Sequence, residues 1–155
     1  MQSLPQENFQ EPEEDLEYLA PKVAHYPAKS LATLFQLLSR EFQEHAKKDR
    51  LRGRPLRSST LKSASDSLST SGKYLLSSST SPFSAKEISP QEISYQAYTL
   101  SRYRYGRLAE FFTEMEKKLQ EQRQYIVAGY LNEVRDRLLI AEKISPLEQK
   151  WEEFL

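Results

Sequence analysis

Between Pro90 and Pro146 no proline interrupts the chain, a length that few globular helices reach on their own, and its apolar residues recur at steps of three and four. At 100° per residue Leu108, Phe112, Met115, Leu119 and Ile126 share one stripe, with Tyr98 and Tyr105 along its edge. Val127, Tyr130, Leu131, Val134, Leu138 and Ala141 form a second stripe, rotated by roughly a quarter turn. The change of phase predicts a hairpin at Gln120 to Gln124, or one bent helix that meets a new partner there with Gly129 inside it. A repeated phrase brackets this region, AKEISPQE at 85–92 and AEKISPLE at 141–148. Each copy offers a capping Ser, a Pro at the first helical position and a Glu three residues after the cap. Helix starts are therefore expected at Ser89 and at Ser145. Ile88 and Ile93 can close a hydrophobic staple at the first, whereas Gln149 stands in the matching place of the second. A short final helix would carry Trp151, Phe154 and Leu155.

Upstream, Leu31, Leu34, Phe35, Leu38 and Phe42 fall on one stripe, which predicts a helix over 30–50. Ser30 is the expected cap, and Gly53 with Pro55 the stop. Residues 58–81 hold fourteen Ser or Thr in twenty-four positions, too little apolar surface to offset ordering entropy, so a flexible linker is expected. The head has two prolines and a run of carboxylates, the composition of a disordered arm. The fold class is all-α, a small helical bundle or an extended helical hairpin. The chain divides into an acidic flexible arm at 1–28, an amphipathic helix at 29–52, a basic then Ser/Thr-rich linker at 53–84, and a long helical region with a short C-terminal helix at 85–155.

The chain has 155 residues, enough for one modest core, and 22 basic groups balance 22 acidic ones. The balance is uneven along the chain: residues 1–20 carry six carboxylates and no Lys or Arg, residues 21–62 carry ten basic groups against three acidic, and the remainder is nearly neutral. The absence of cysteine excludes disulfides and thiolate chemistry. No apolar run approaches the roughly 18 residues of a membrane span, so an intracellular chain without membrane contact is expected, in the nucleus where a basic import signal directs it and otherwise in the cytoplasm. Glu41 and His45 share a helix face, but two ligands do not make a zinc site. Four scattered glycines make no phosphate loop. No catalytic residue, metal or cofactor is expected, and the chain reads as a non-enzyme.

Two clusters carry positive charge. Lys47, Lys48, Arg50, Arg52, Arg54 and Arg57 lie around the end of the first helix, where phosphate contact or a nuclear import signal would use them. Arg102, Arg104 and Arg107 alternate with tyrosines, a pattern suited to stacking on single-stranded nucleic acid. Ser81, Ser89 and Ser145 each precede a proline and are candidate phosphorylation sites.

The stretch YTLSRYRYGRL at 98–108 resembles the central helix of the helical domain in subunits of the GINS replication complex, with Tyr98, Leu100, Ser101, Tyr103, Arg107 and Leu108 matching a recurring pattern. The helix start at 144–155 and a preceding helix that runs into a basic connection are similar to that family as well. After Arg-Leu the chain departs from the pattern with Ala109, Glu110 and Phe111. The resemblance implies a non-catalytic subunit that braces the replicative helicase through helix-to-helix contacts in the nucleus. Independently of it, two stripes at different angles outnumber the surfaces one upstream helix can cover. A helical interaction or scaffold subunit of a multiprotein assembly is therefore expected, with other helical subunits, in a hetero- or homo-oligomer, as partners. Leu108, Phe112, Met115, Leu119, Val134, Leu138 and Trp151 are its expected contact residues. The alternatives are a basic helical nucleic-acid-binding protein and a small helical chaperone or adaptor.

Overall fold

Leu31, Leu34, Phe35, Leu38 and Phe42 lie on one face of a helix, as their spacing predicts, and all five are buried. The computed structural model describes residues 16–78 and 87–154, with the side chains of residue 78 and of 146–154 left aside. Six helices make up the described residues: α1 (Leu16–Ala24), α2 (Ala28–Leu51), α3 (Pro55–Ser78), α4 (Pro90–Ser101), α5 (Tyr105–Glu121) and α6 (Tyr125–Phe154). There is no strand among them, and the fold is all-α.

The helices close into an up-and-down bundle. α2 packs on α3, α3 on α6 and α6 on α5, while α4 lies along α2 and α1 along α5. Directions follow from the bonds between them. Arg57 reaches Ser145 at one end of the α3–α6 pair and Ser67 reaches Glu133 farther along, so the pair is antiparallel. In the α5–α6 pair Gly106 faces Glu142 and Glu116 binds Asn132 and Arg135, again antiparallel.

The Ser-rich segment departs from its expectation. Residues 55–78 are not a linker but α3, with Pro55 as its first residue, where a missing amide costs nothing. Leu61, Ala64, Leu68, Ser71 and Leu75 repeat at steps of three and four, and all are buried. Its serines enter through size. Ala32, Ser39 and Ala46 on α2 stand opposite Gly72, Ser65 and Ser58 on α3, each set spaced by seven residues. Small side chains at every meeting point let the two backbones approach. Ser39 Oγ donates to the Ser65 carbonyl at 3.0 Å, Ser65 Oγ donates to the Ser39 carbonyl at 2.9 Å, and Ser58 Oγ donates to the Ala46 carbonyl at 2.7 Å. A Cβ on Gly72 would lie 2.8 Å from Gln36 Nε2 and 3.2 Å from the Ala32 carbonyl oxygen. Composition alone had hidden a seven-residue period. Residues 79–84 of the expected linker lie outside the described residues.

The acidic arm is also shorter than expected. Residues 1–15 lie outside the described residues, but Leu16, Leu19, Ala20, Val23 and Ala24 of α1, with Tyr26 after it, are in the core. α2 begins at Ala28 rather than at a Ser30 cap. Ser30 sits inside the helix, and its Oγ accepts the Ile88 amide at 3.0 Å, tying the approach to α4 onto α2. The stop is as expected, with Gly53 at φ 75° and its amide on the Arg50 carbonyl.

The two copies of the repeated phrase part company. Ser89 caps α4, accepting the Glu92 amide at 3.2 Å with Pro90 at the first position, and Ile88 and Ile93 both pack into the core. Ser145 starts nothing. α6 continues through Pro146 to Phe154, and Ser145 Oγ donates to the Ala141 carbonyl inside it at 2.7 Å. The separate C-terminal helix is thus part of α6.

Between the copies the chain breaks twice. The hairpin at Gln120 to Gln124 is present: Gln124 donates its amide to the Leu119 carbonyl at 2.8 Å across Arg123, whose φ is 62°. This restart explains Ile126, which shares the α5 stripe in sequence but is half exposed on α6. The break at Arg102–Arg104 was not foreseen. Tyr103 and Tyr105 would point about 200° apart on one continuous helix, yet both are buried. Breaking the helix between them lets both rings face the interior.

Candidate functional site

One end of the bundle gathers its polar side chains. The end of α2 supplies His45 and Asp49, the start of α3 Arg57, the start of α5 Tyr105, and α6 Ser145. Asp49 and Arg57, both almost fully buried, form a two-pronged ion pair, Nε to Oδ2 at 2.8 Å and Nη2 to Oδ1. The remaining prong, Nη1, donates to Ser145 Oγ at 2.9 Å, so a single guanidinium ties α2, α3 and α6. It also stands 5.8 Å from the centre of the Tyr105 ring, whose hydroxyl is 3.3 Å from His45 Nδ1. Burial pushes the His45 pKa from 6.5 down to about 4; Asp49 pulls it back upward, and Lys48 and Arg57 press it farther down. The imidazole is neutral near pH 7.

This cluster joins three helices through one ion pair and its hydrogen bonds. Asp49 is neutralised by Arg57, and the polar contact of His45 is with the buried phenol of Tyr105. Among the described residues no group of three or more His, Asp or Glu side chains could hold a metal ion, and no helix is long and apolar enough to cross a membrane.

The expected partner-binding residues are placed differently. Leu108, Phe112, Met115, Leu119, Val134 and Leu138 are all 0–1 % exposed, so they are core and present nothing to a partner. The covering surface that the sequence lacked is supplied by α3 and α1, which were not expected as helices. The Trp151 side chain lies outside the described ones.

The basic residues divide. Arg54 and Arg57 are buried, Arg52 is half-buried, and Lys47, Lys48 and Arg50 are exposed, with Lys47 3.7 Å from Glu44. Arg104 and Arg107 are exposed, Arg107 lying 3.9 Å from Glu110, while Arg102 stacks over Tyr98 at 5.5 Å. Through the contact of Arg57 with Tyr105, the two basic clusters meet at the same end of the bundle. The tyrosines between the arginines, Tyr103 and Tyr105, are buried and cannot stack on bases. Ser89 is exposed but occupied as a cap, Ser145 is half-buried against Arg57, and Ser81 lies outside the described residues.

Outward-facing apolar side chains were the part that sequence reasoning missed. On α6 Tyr125 is 64 % and Ile126 51 % exposed, with Leu139 and Ile140 near 40 %. On α4 Tyr95 and Tyr98 are more than half exposed, and Leu51 and Leu56 flank the α2–α3 turn in open water. Gly129 shares the outer face of α6 with Ile126 and Ile140, and a Cβ there would meet nothing within 4 Å. The signal was present for Ile126, where a hairpin at 120–124 resets the helical phase. No family model, curated protein or solved structure matches this chain.

Proposed function

We propose that the chain is a non-catalytic helical interaction subunit of a multiprotein assembly, which docks through the outer face of α6. The observation that carries this is the exposure of Ile126 and Gly129 near the start of α6 and of Ile140 farther along, with the charged Glu133, Asp136 and Arg137 exposed between them, on a helix whose opposite face is already buried. A glycine inside a helix costs about 1 kcal/mol against alanine, and nothing among the described residues requires it there. A partner backbone approaching closely would. The core residues first expected to bind partners are replaced in this role by the outward ones.

The resemblance of 98–108 to GINS subunits supports a place among DNA replication proteins in the nucleus, bracing the replicative helicase. Leu100, Ser101, Tyr103 and Leu108 of that pattern are buried here, and the pattern spans the α4–α5 break instead of one helix. Affinity capture of the tagged chain from a native nuclear extract, followed by mass spectrometry, tests this reading. Stoichiometric recovery of helical replication subunits is expected; recovery of the chain alone would contradict it. A nucleic-acid role would instead show as salt-sensitive binding to oligonucleotides.

A further inference from the structure

The turn between α2 and α3 is held on every side yet leaves its leucines in water. Gly53 donates to the Arg50 carbonyl, Arg54 donates to the Asp49 carbonyl at 2.8 Å, and the buried Asp49–Arg57 pair locks the flanking helices. Leu51 is nonetheless 87 % and Leu56 61 % exposed. Lys47, Lys48 and Arg50 are exposed around them; Lys47 lies 3.7 Å from the exposed Glu44, and the one carboxylate of 47–57, Asp49, is spent on Arg57. A rigid, basic turn tipped with two bare leucines is preorganised for a ligand that is both acidic and apolar. A phosphate backbone would have no use for the leucines.

Such a ligand lies in the chain itself. Residues 1–15, MQSLPQENFQEPEED, carry Glu7, Glu11, Glu13, Glu14 and Asp15 with no Lys or Arg, and include Leu4 and Phe9. They lead into α1, which lies along α5 with its end fixed by Gln122 on the Ala24 carbonyl. At its start Leu16 and Glu17 border a cleft with Arg107, Glu110 and Phe111. The chain therefore enters beside the first half of α5, whose first residue, Tyr105, touches His45 and Arg57. From Leu16 back to Phe9 an extended chain reaches about 25 Å, more than the roughly 14 Å of α5 between Glu114 and Tyr105.

We propose that residues 1–15 dock in cis on the Leu51–Leu56 turn, setting carboxylates against Lys47, Lys48, Arg50 and Arg52 and Phe9 against the leucines. The acidic head and the basic segment, separate in sequence, neutralise each other there, and an outside ligand for the turn must displace the head. Because the chain has no cysteine, Gln10→Cys places a single nitroxide label in the full-length protein. Paramagnetic broadening of the amides of 50–57 to below about half their intensity is expected. It should be lost in high salt, in the triple variant Glu11→Gln, Glu13→Gln, Glu14→Gln, and in Leu51→Asp with Leu56→Asp. The head variants leave the described core untouched, so they read out even where the leucine changes perturb folding. Broadening that survives charge removal, that centres on another face, or that appears only between labelled and unlabelled copies would overturn the proposal. So would a turn that binds an oligothymidine strand while ignoring the head.

Discussion

Asp49 and Arg57 show how much a single pair can decide. Removing one partner leaves the other buried and uncompensated, so Asp49→Ala should cost about 3–5 kcal/mol, a large share of the 5–15 kcal/mol typical of a domain. Urea unfolding measures it, and replacing both residues together by Leu and Met should cost less than Asp49→Ala alone. His45 makes the same end of the bundle sensitive to acid. Its folded pKa of about 4 lies below the unfolded 6.5, so between those values the unfolded chain binds the proton and the folded chain does not. Stability is therefore complete above pH 6.5 and falls by about 2–3 kcal/mol as pH drops to 4. His45→Gln should flatten that part of the unfolding midpoint against pH. The pair i, i+4 of Glu41 and His45 was visible in the sequence, but of the partners that matter only Asp49 is one turn away, while Tyr105 and Arg57 are distant.

At the level of the helix, legibility depended on whether apolar residues or small ones marked the buried face. α2 and the first cap of α4 could be read directly, because Leu31 to Phe42 and Ser89-Pro90-Gln91-Glu92 state their roles locally. α3 could not be read through composition: a serine count measures average polarity, whereas packing depends on which serines recur at seven-residue intervals. Ser65→Leu should lower stability by about 1–3 kcal/mol or more by forcing α2 and α3 apart, measured as a fall in thermal midpoint. Ser145-Pro146 misled for the opposite reason. Its local grammar is that of a cap, but the bond from Arg57, 88 positions away, holds the serine within a continuing helix. On the outer side of α6, Gly129→Ala should stabilise the isolated chain by about 0.5–1 kcal/mol while weakening partner capture, a pairing that a purely structural glycine would not give.

At the scale of the whole molecule, the six helices of the described residues close one core, so the stripes that seemed to need a partner are satisfied internally. Which apolar residues stay outward could not be read from periodicity, because exposure of Ile126 and Ile140 is set by the hairpin and by what α3 and α5 already cover. If α6 docks as proposed, folding and docking use different residues, and the difference can be measured. Ile126→Asp with Ile140→Asp should leave the urea midpoint of the isolated chain within about 0.5 kcal/mol of its original stability. The same variant should lose most of the partner recovered by quantitative affinity capture alongside the unchanged protein. Full recovery of the partner by a folded double variant would contradict the assignment of the α6 face as the docking surface.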